Sequence, residues 1–139
     1  MKRPILFLII SLFLAVNSCG PKGLTENQKL RAEVIAVHDE VMPKIGQLKS
    51  LERKALEKVK ELESEDPIDS AKVEEYKAIA YDLNRADAAM FDWMHQYVKE
   101  EGDQTEEQIK QYLEGQMVLI SKVNVDMKEA LDRANKALK

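Results

Sequence analysis

Of 139 residues only one, Cys19, is a cysteine, and only five are glycine and four proline. A single thiol excludes a disulfide framework and any multi-thiolate zinc site within one chain. So few helix breakers exclude a collagen-like or linker-dominated chain. No block of Lys and Arg is present: 21 basic residues stand against 25 acidic ones, a net charge of −4. Nucleic acid is therefore not an expected partner, because phosphate binding needs clustered basic side chains. Nor does any apolar run reach the roughly 17–25 residues that span a bilayer. The longest, Ile5 to Val16, has twelve positions and is interrupted by Ser11. Strand-like alternation, a fixed-period repeat and a glycine-rich phosphate loop are all missing, and Ser50, Ser64, Ser70 and Ser121 lack a nucleophile-elbow context. One small domain without enzymatic activity is expected.

What is present begins with a leader. Met1-Lys2-Arg3-Pro4 is a short cationic start, and the apolar core that follows ends in Asn17-Ser18-Cys19, so residues 1–18 read as a secretory signal peptide. Val16-Asn17-Ser18-Cys19 resembles the bacterial lipobox, with Asn17 departing from the usual small residue. The resemblance implies cleavage between Ser18 and Cys19 and acylation of the Cys19 thiol. The alternative is an ordinary secreted protein with one free thiol, which an oxidising compartment would leave liable to oxidation. Residues 19–24 are then a lipidated tether, less than about 20 Å long at roughly 3.3–3.6 Å per residue. Gly20 stands where inner-membrane lipoproteins commonly carry Asp, and no acidic cluster follows Cys19. By resemblance both features favour the outer membrane, facing the periplasm. Without the leader, 19 basic and 25 acidic residues remain, a net charge of −6.

The rest of the chain, 25–139, carries three apolar stripes. Thr25-Glu26-Asn27-Gln28 has capping-box spacing, and Leu30, Val34, Val37, Val41, Ile45, Leu48, Ala55, Val59 and Leu62 then recur at three- and four-residue steps. The spacing predicts a helix to about residue 65, kinked at Pro43, where one hydrogen bond is removed without a change of apolar phase. Asp66-Pro67 reads as the next start, followed by Val73, Tyr76, Ile79, Ala80, Leu83, Ala86, Met90, Met94 and Tyr97, with Gly102 as the stop. Thr105-Glu106-Glu107-Gln108 repeats the capping box ahead of Ile109, Leu113, Ile120, Val123, Met127, Leu131, Ala134 and Leu138. Short connections make neighbouring helices antiparallel, so the expected fold is all-α, an up-down-up three-helix bundle of long helices.

Antiparallel pairing would bring His38, Met42, Met90, Met94 and Met117 to one end of the bundle. Thioethers with imidazole suit copper(I), so these residues form a candidate copper site. Their packing alternative is that methionine fills gaps in a helical core and an inward histidine has a hydrogen-bond partner. His95, just off the stripe, is expected in solvent. Asp87 and Gln116 interrupt the second and third stripes at similar heights, with Gln47 possible as a neighbour, and read as a polar core layer that fixes register. No second inward carboxylate stands opposite Asp87, so an acid–base pair is not supported. Beyond the leader every aromatic, Tyr76, Tyr81, Phe91, Trp93, Tyr97 and Tyr112, falls on the second helix or at the start of the third. Any of them left exposed would suit a protein partner.

The strings Val37-His38-Asp39-Glu40-Val41-Met42-Pro43-Lys44-Ile45 and Ala86-Asp87-Ala88-Ala89-Met90-Phe91-Asp92-Trp93-Met94-His95, behind Ser18-Cys19, resemble a group of small Bacteroidota lipoproteins often labelled "viral A-type inclusion protein". The resemblance covers most of the mature chain. It implies an all-α lipoprotein and offers no catalytic residues to carry over. The expected function is a lipid-anchored envelope protein, attached to the membrane through Cys19, that binds another protein as a helical module or scaffold. A periplasmic copper-binding lipoprotein is the alternative, and no cofactor beyond the covalent lipid is otherwise expected.

Overall fold

The computed structural model describes residues 23–99 and 102–139. The signal segment, Cys19 and the tether up to residue 22 lie outside the described residues. The fold is all-helical: α1 (Glu26–Val41), a 3-10 turn (Met42–Lys44), α2 (Ile45–Glu63), α3 (Ser70–Gln96) and α4 (Glu106–Ala137). Both capping boxes form. The Thr25 and Thr105 hydroxyls accept from the amides of Gln28 and Gln108, whose side-chain oxygens accept from the threonine amides in return. Two of the orphan N–H groups at each helix start are satisfied in this way.

Between α1 and α2 the α-helical pattern gives way to one tighter turn with Pro43 near its start. Proline has no amide hydrogen for the carbonyl four residues back, and the chain recovers by a three-residue bond from the Ile45 amide to the Met42 carbonyl. The turn divides labour. The α1 half packs against α4, and the α2 half packs mainly against α3.

The start of α3 differs from the sequence expectation. Asp69, not Asp66, is the cap, because its carboxylate accepts from the Lys72 amide, so Pro67 stays outside the helix. Its end differs as well: α3 stops at Gln96, ahead of Gly102. Tyr97 leaves the helical conformation because tertiary partners take over the backbone. The Val98 amide donates to the Tyr112 hydroxyl at 2.7 Å, and the Val98 carbonyl accepts from Arg31. At 27 residues α3 is therefore about 40 Å long, shorter than the stripe suggested.

The core follows the three stripes. Val34, Val41, Leu48 and Ala55 from the first arm meet Ile79, Leu83, Ala86 and Met90 of α3 and Ile120, Met127 and Ala134 of α4. Burying a leucine or isoleucine of this kind stabilises by roughly 1.5–3 kcal/mol, enough to outweigh the modest propensities of the helices alone. No described helix is long and apolar enough to cross a membrane.

Candidate functional site

His38 stands in the last turn of α1, three and four residues after Ile35 and Val34, so its ring turns toward the seam with α3. On α3 the spacing Trp93, Met94, Tyr97 puts three large side chains on the facing turn. His38 Nδ1 lies 2.8 Å from Asp39 Oδ1, and Nε2 lies 3.3 Å from Met94 Sδ. The His38 and Trp93 rings are 5.4 Å apart at centroids, Trp93 stacks on Tyr97 at 4.9 Å, and Tyr97 meets Tyr112 at 6.3 Å. Arg31 donates to the Tyr97 hydroxyl at 3.2 Å. A cleft of about 320 Å³ opens beside this cluster, lined by Ile35, His38, Asp39, Trp93, Met94, Tyr97 and Lys99. The His38 side chain is 16% exposed, and Trp93 is buried with its indole N–H lacking a partner.

The remaining methionines sit elsewhere. Met90 is wholly enclosed in the core, and Met42 and Met117 are partly buried against it, with Met117 Sδ accepting from the Ser121 hydroxyl at 3.7 Å. His95 is exposed, its Nδ1 donating to the Phe91 carbonyl. Among the described residues no group of three or more His, Cys, Asp or Glu side chains is placed to hold a metal ion.

Asp87 and Gln116 are both buried, at 6% and 9% exposure. Asp87 Oδ2 pairs with Lys49 Nζ at 2.6 Å, while Asp87 Oδ1 and Gln116 Oε1 have no hydrogen-bond partner. Gln47, two residues before Lys49, is exposed. The Asp87 carboxylate, as a hydrogen-bond acceptor, holds the Lys49 ammonium above the ordinary lysine range, and partial burial of the lysine opposes it.

Two polar contacts went unread in the sequence. Buried Asn27 donates to the Glu106 carbonyl at 2.9 Å and to its carboxylate at 2.7 Å, and buried Asn124 donates to the Val37 carbonyl and to Glu40. Asn124 was findable, being four residues after Ile120 and three before Met127, within the apolar stripe. The outer face of α4 carries a further surprise: Val118, Leu119 and Val125 are 70%, 50% and 50% exposed. The consecutive run Val118-Leu119-Ile120 is the signal, since three successive helical residues cannot all face one core.

As chemistry, the His38 cluster offers one imidazole nitrogen, one thioether sulfur and an aromatic wall. It contains no nucleophile with an adjacent base. A second cleft between α3 and α4, about 180 Å³, is lined by Asp82, Arg85, Asp126, Glu129 and Arg133, whose opposite charges are interleaved, with Arg133 paired to Asp82. No family model, curated protein or solved structure matches the chain.

Proposed function

We propose that the chain is a lipid-anchored protein of the bacterial cell envelope, held through acylated Cys19 in the outer membrane facing the periplasm, and that it works as a non-catalytic helical module binding another envelope protein. The observation that carries the binding reading is the outer face of α4. Val118 and Val125 are seven residues apart and so share a face, and with Leu119 they expose apolar surface where a solvated helix carries charge. Tyr81 and Phe91 add exposed aromatic surface on α3, although Trp93, the strongest candidate anchor by residue type, is taken into the bundle.

The reading includes an architecture in which α1 and α2 form one arm bent at Pro43, and this arm, α3 and α4 run up, down and up. Cross-helix pairs support it. Glu63 meets Lys77 and Lys49 meets Asp87, so positions fall on α2 as they rise on α3. Between α1 and α4 positions rise together, with Asn27 bonded to Glu106 and Glu40 to Lys128.

Cell fractionation tests the anchor, and site-specific photocrosslinking in intact cells tests the binding face. Cys19→Ala should release the protein to the soluble fraction. A photoreactive residue at Val118 should capture a protein that the same residue at exposed Glu74 does not. Retention of the Cys19→Ala variant in the membrane would overturn the anchor, and equal labelling from both positions would overturn the binding face.

A further inference from the structure

We propose that His38 and Met94 are the protein ligands of an open copper(I) site beneath Trp93. The first observation is a proton count. Asp39 Oδ1 lies 2.8 Å from His38 Nδ1, and a carboxylate only accepts, so the ring proton of the neutral imidazole sits on Nδ1. In that neutral form, the one that ligates a metal, Nε2 presents a lone pair. Opposite it, at 3.3 Å, stands Met94 Sδ, which carries lone pairs and no hydrogen. A protonated ring would donate to that sulfur, whereas in the neutral ring nitrogen and sulfur both offer electrons to a cation shared between them. The Asp39–His38 bond is also the carboxylate–histidine arrangement that fixes the tautomer of a metal-bound imidazole.

Geometry and softness then select the ion. With metal–ligand lengths of about 2.0 Å to nitrogen and about 2.3 Å to sulfur, a 3.3 Å N···S separation subtends roughly 100° at the metal. That angle belongs to three- or four-coordinate geometry and leaves at least one position free. A thioether is a poor ligand for zinc, calcium or magnesium and a good one for copper(I). The free position opens on the cleft of about 320 Å³, where a small thiol, a thioether or a ligand from a second protein can enter. Trp93, stacked on Tyr97 and 5.4 Å from the imidazole, supplies a water-excluding wall and an aromatic face able to attract a cation. Met90, enclosed in the core, belongs to the packing, and so the site is narrower than the four-residue set His38, Met42, Met90 and Met94. An open two-ligand site suits exchange of the ion with a partner more than its storage.

Trp93 is the only tryptophan in the chain, so its fluorescence reports on this site alone. The test is an anaerobic titration of the full chain in detergent with copper(I), kept reduced by ascorbate, against a chromogenic copper(I) chelator. One equivalent should quench or shift Trp93 emission, and the chelator should reverse the change. Met94→Leu conserves volume and should keep the helical circular dichroism while weakening copper(I) at least tenfold. His38→Gln should do the same, and Met90→Leu should bind like the parent. Zinc(II) should leave the emission unchanged. Parent-like titration by Met94→Leu, or an equal response to zinc(II), would overturn the site. Should His38→Gln fail to fold, Met94→Leu decides alone. The membrane anchor plays no part in this titration, so its failure and that of the proposed localisation are separate results.

Discussion

Lys49 Nζ lies 2.6 Å from Asp87 Oδ2, joining a half-exposed lysine on α2 to a carboxylate almost withdrawn from water on α3. The lysine stem covers apolar surface while its head reaches the acid, so the pair is asymmetric: loss of the cation strands a buried charge, whereas loss of the acid leaves an ammonium that can turn to solvent. Lys49→Met should therefore destabilise the fold by about 2 kcal/mol, and Asp87→Leu by less. The double substitution should recover most of the loss. Urea unfolding of the three variants checks the ranking, and an Asp87→Leu cost exceeding that of Lys49→Met would show that packing at position 87 governs instead.

Asn124 joins α4 to α1 by two bonds, to the Val37 carbonyl at 3.0 Å and to the Glu40 carboxylate at 2.9 Å. Asn124→Leu removes both donors in a buried setting and should cost about 1–2 kcal/mol. Asn124→Asp is the sharper change, because it places a second carboxylate against Glu40 with nearly the same shape. It should be more destabilising than leucine at pH 7 and should regain stability as the pH falls through the carboxylate range. A pH series of denaturation midpoints distinguishes the two variants.

The helices were legible in the sequence because each apolar stripe keeps a period of three and four across its length and each start carries a cap. Val34, Leu48, Leu83, Met90, Ile120 and Met127 could be placed in the core on that basis. What was not legible was tertiary. Whether Asp66 or Asp69 caps α3 depends on which carboxylate lies over the Lys72 amide, and both have the right chemistry. Tyr97 ends its helix through contacts with residues 14 or more positions away, which no local pattern encodes. At the candidate site, stripe phase brought His38 and Met94 together. It could not show that Met90 turns wholly into the core, nor that Lys49 rather than Gln47 reaches Asp87. Side-chain length and direction decide those points, and periodicity carries neither.

The Glu40 carboxyl is held below the ordinary glutamate range, first by its bond to the Lys128 ammonium and then by the Asn124 amide. A lowered folded-state pKa means that the folded protein binds the proton less readily than the unfolded chain does. The contribution is complete above about pH 4.5, the unfolded-state value, and is lost as the pH falls through the lowered folded value. Lys128→Ala should raise the Glu40 pKa toward the ordinary value. It should also flatten the acid limb of the stability profile. Carboxyl-carbon NMR titration of Glu40 reads the shift directly, and an unchanged titration would remove Lys128 as its cause.

Past the end of α3 the Tyr97 amide still bonds back to the Trp93 carbonyl, and the next donor, the Val98 amide, is satisfied by the Tyr112 hydroxyl at 2.7 Å. This bond fixes the path of the chain where Tyr97 turns out of the helix to stack on Trp93. Tyr112→Phe keeps the ring against Tyr97 and deletes only the acceptor. Because Val98 is itself exposed, water can replace the lost partner, and the cost to global stability should be small, about 0.5–1 kcal/mol. The local effect should be larger. Hydrogen exchange at the Val98 amide should accelerate at least tenfold while amides in the middle of α3 keep their protection, since the opening is confined to the end of one helix. Uniform acceleration along α3 would mean that the hydroxyl supports the whole helix rather than its terminus.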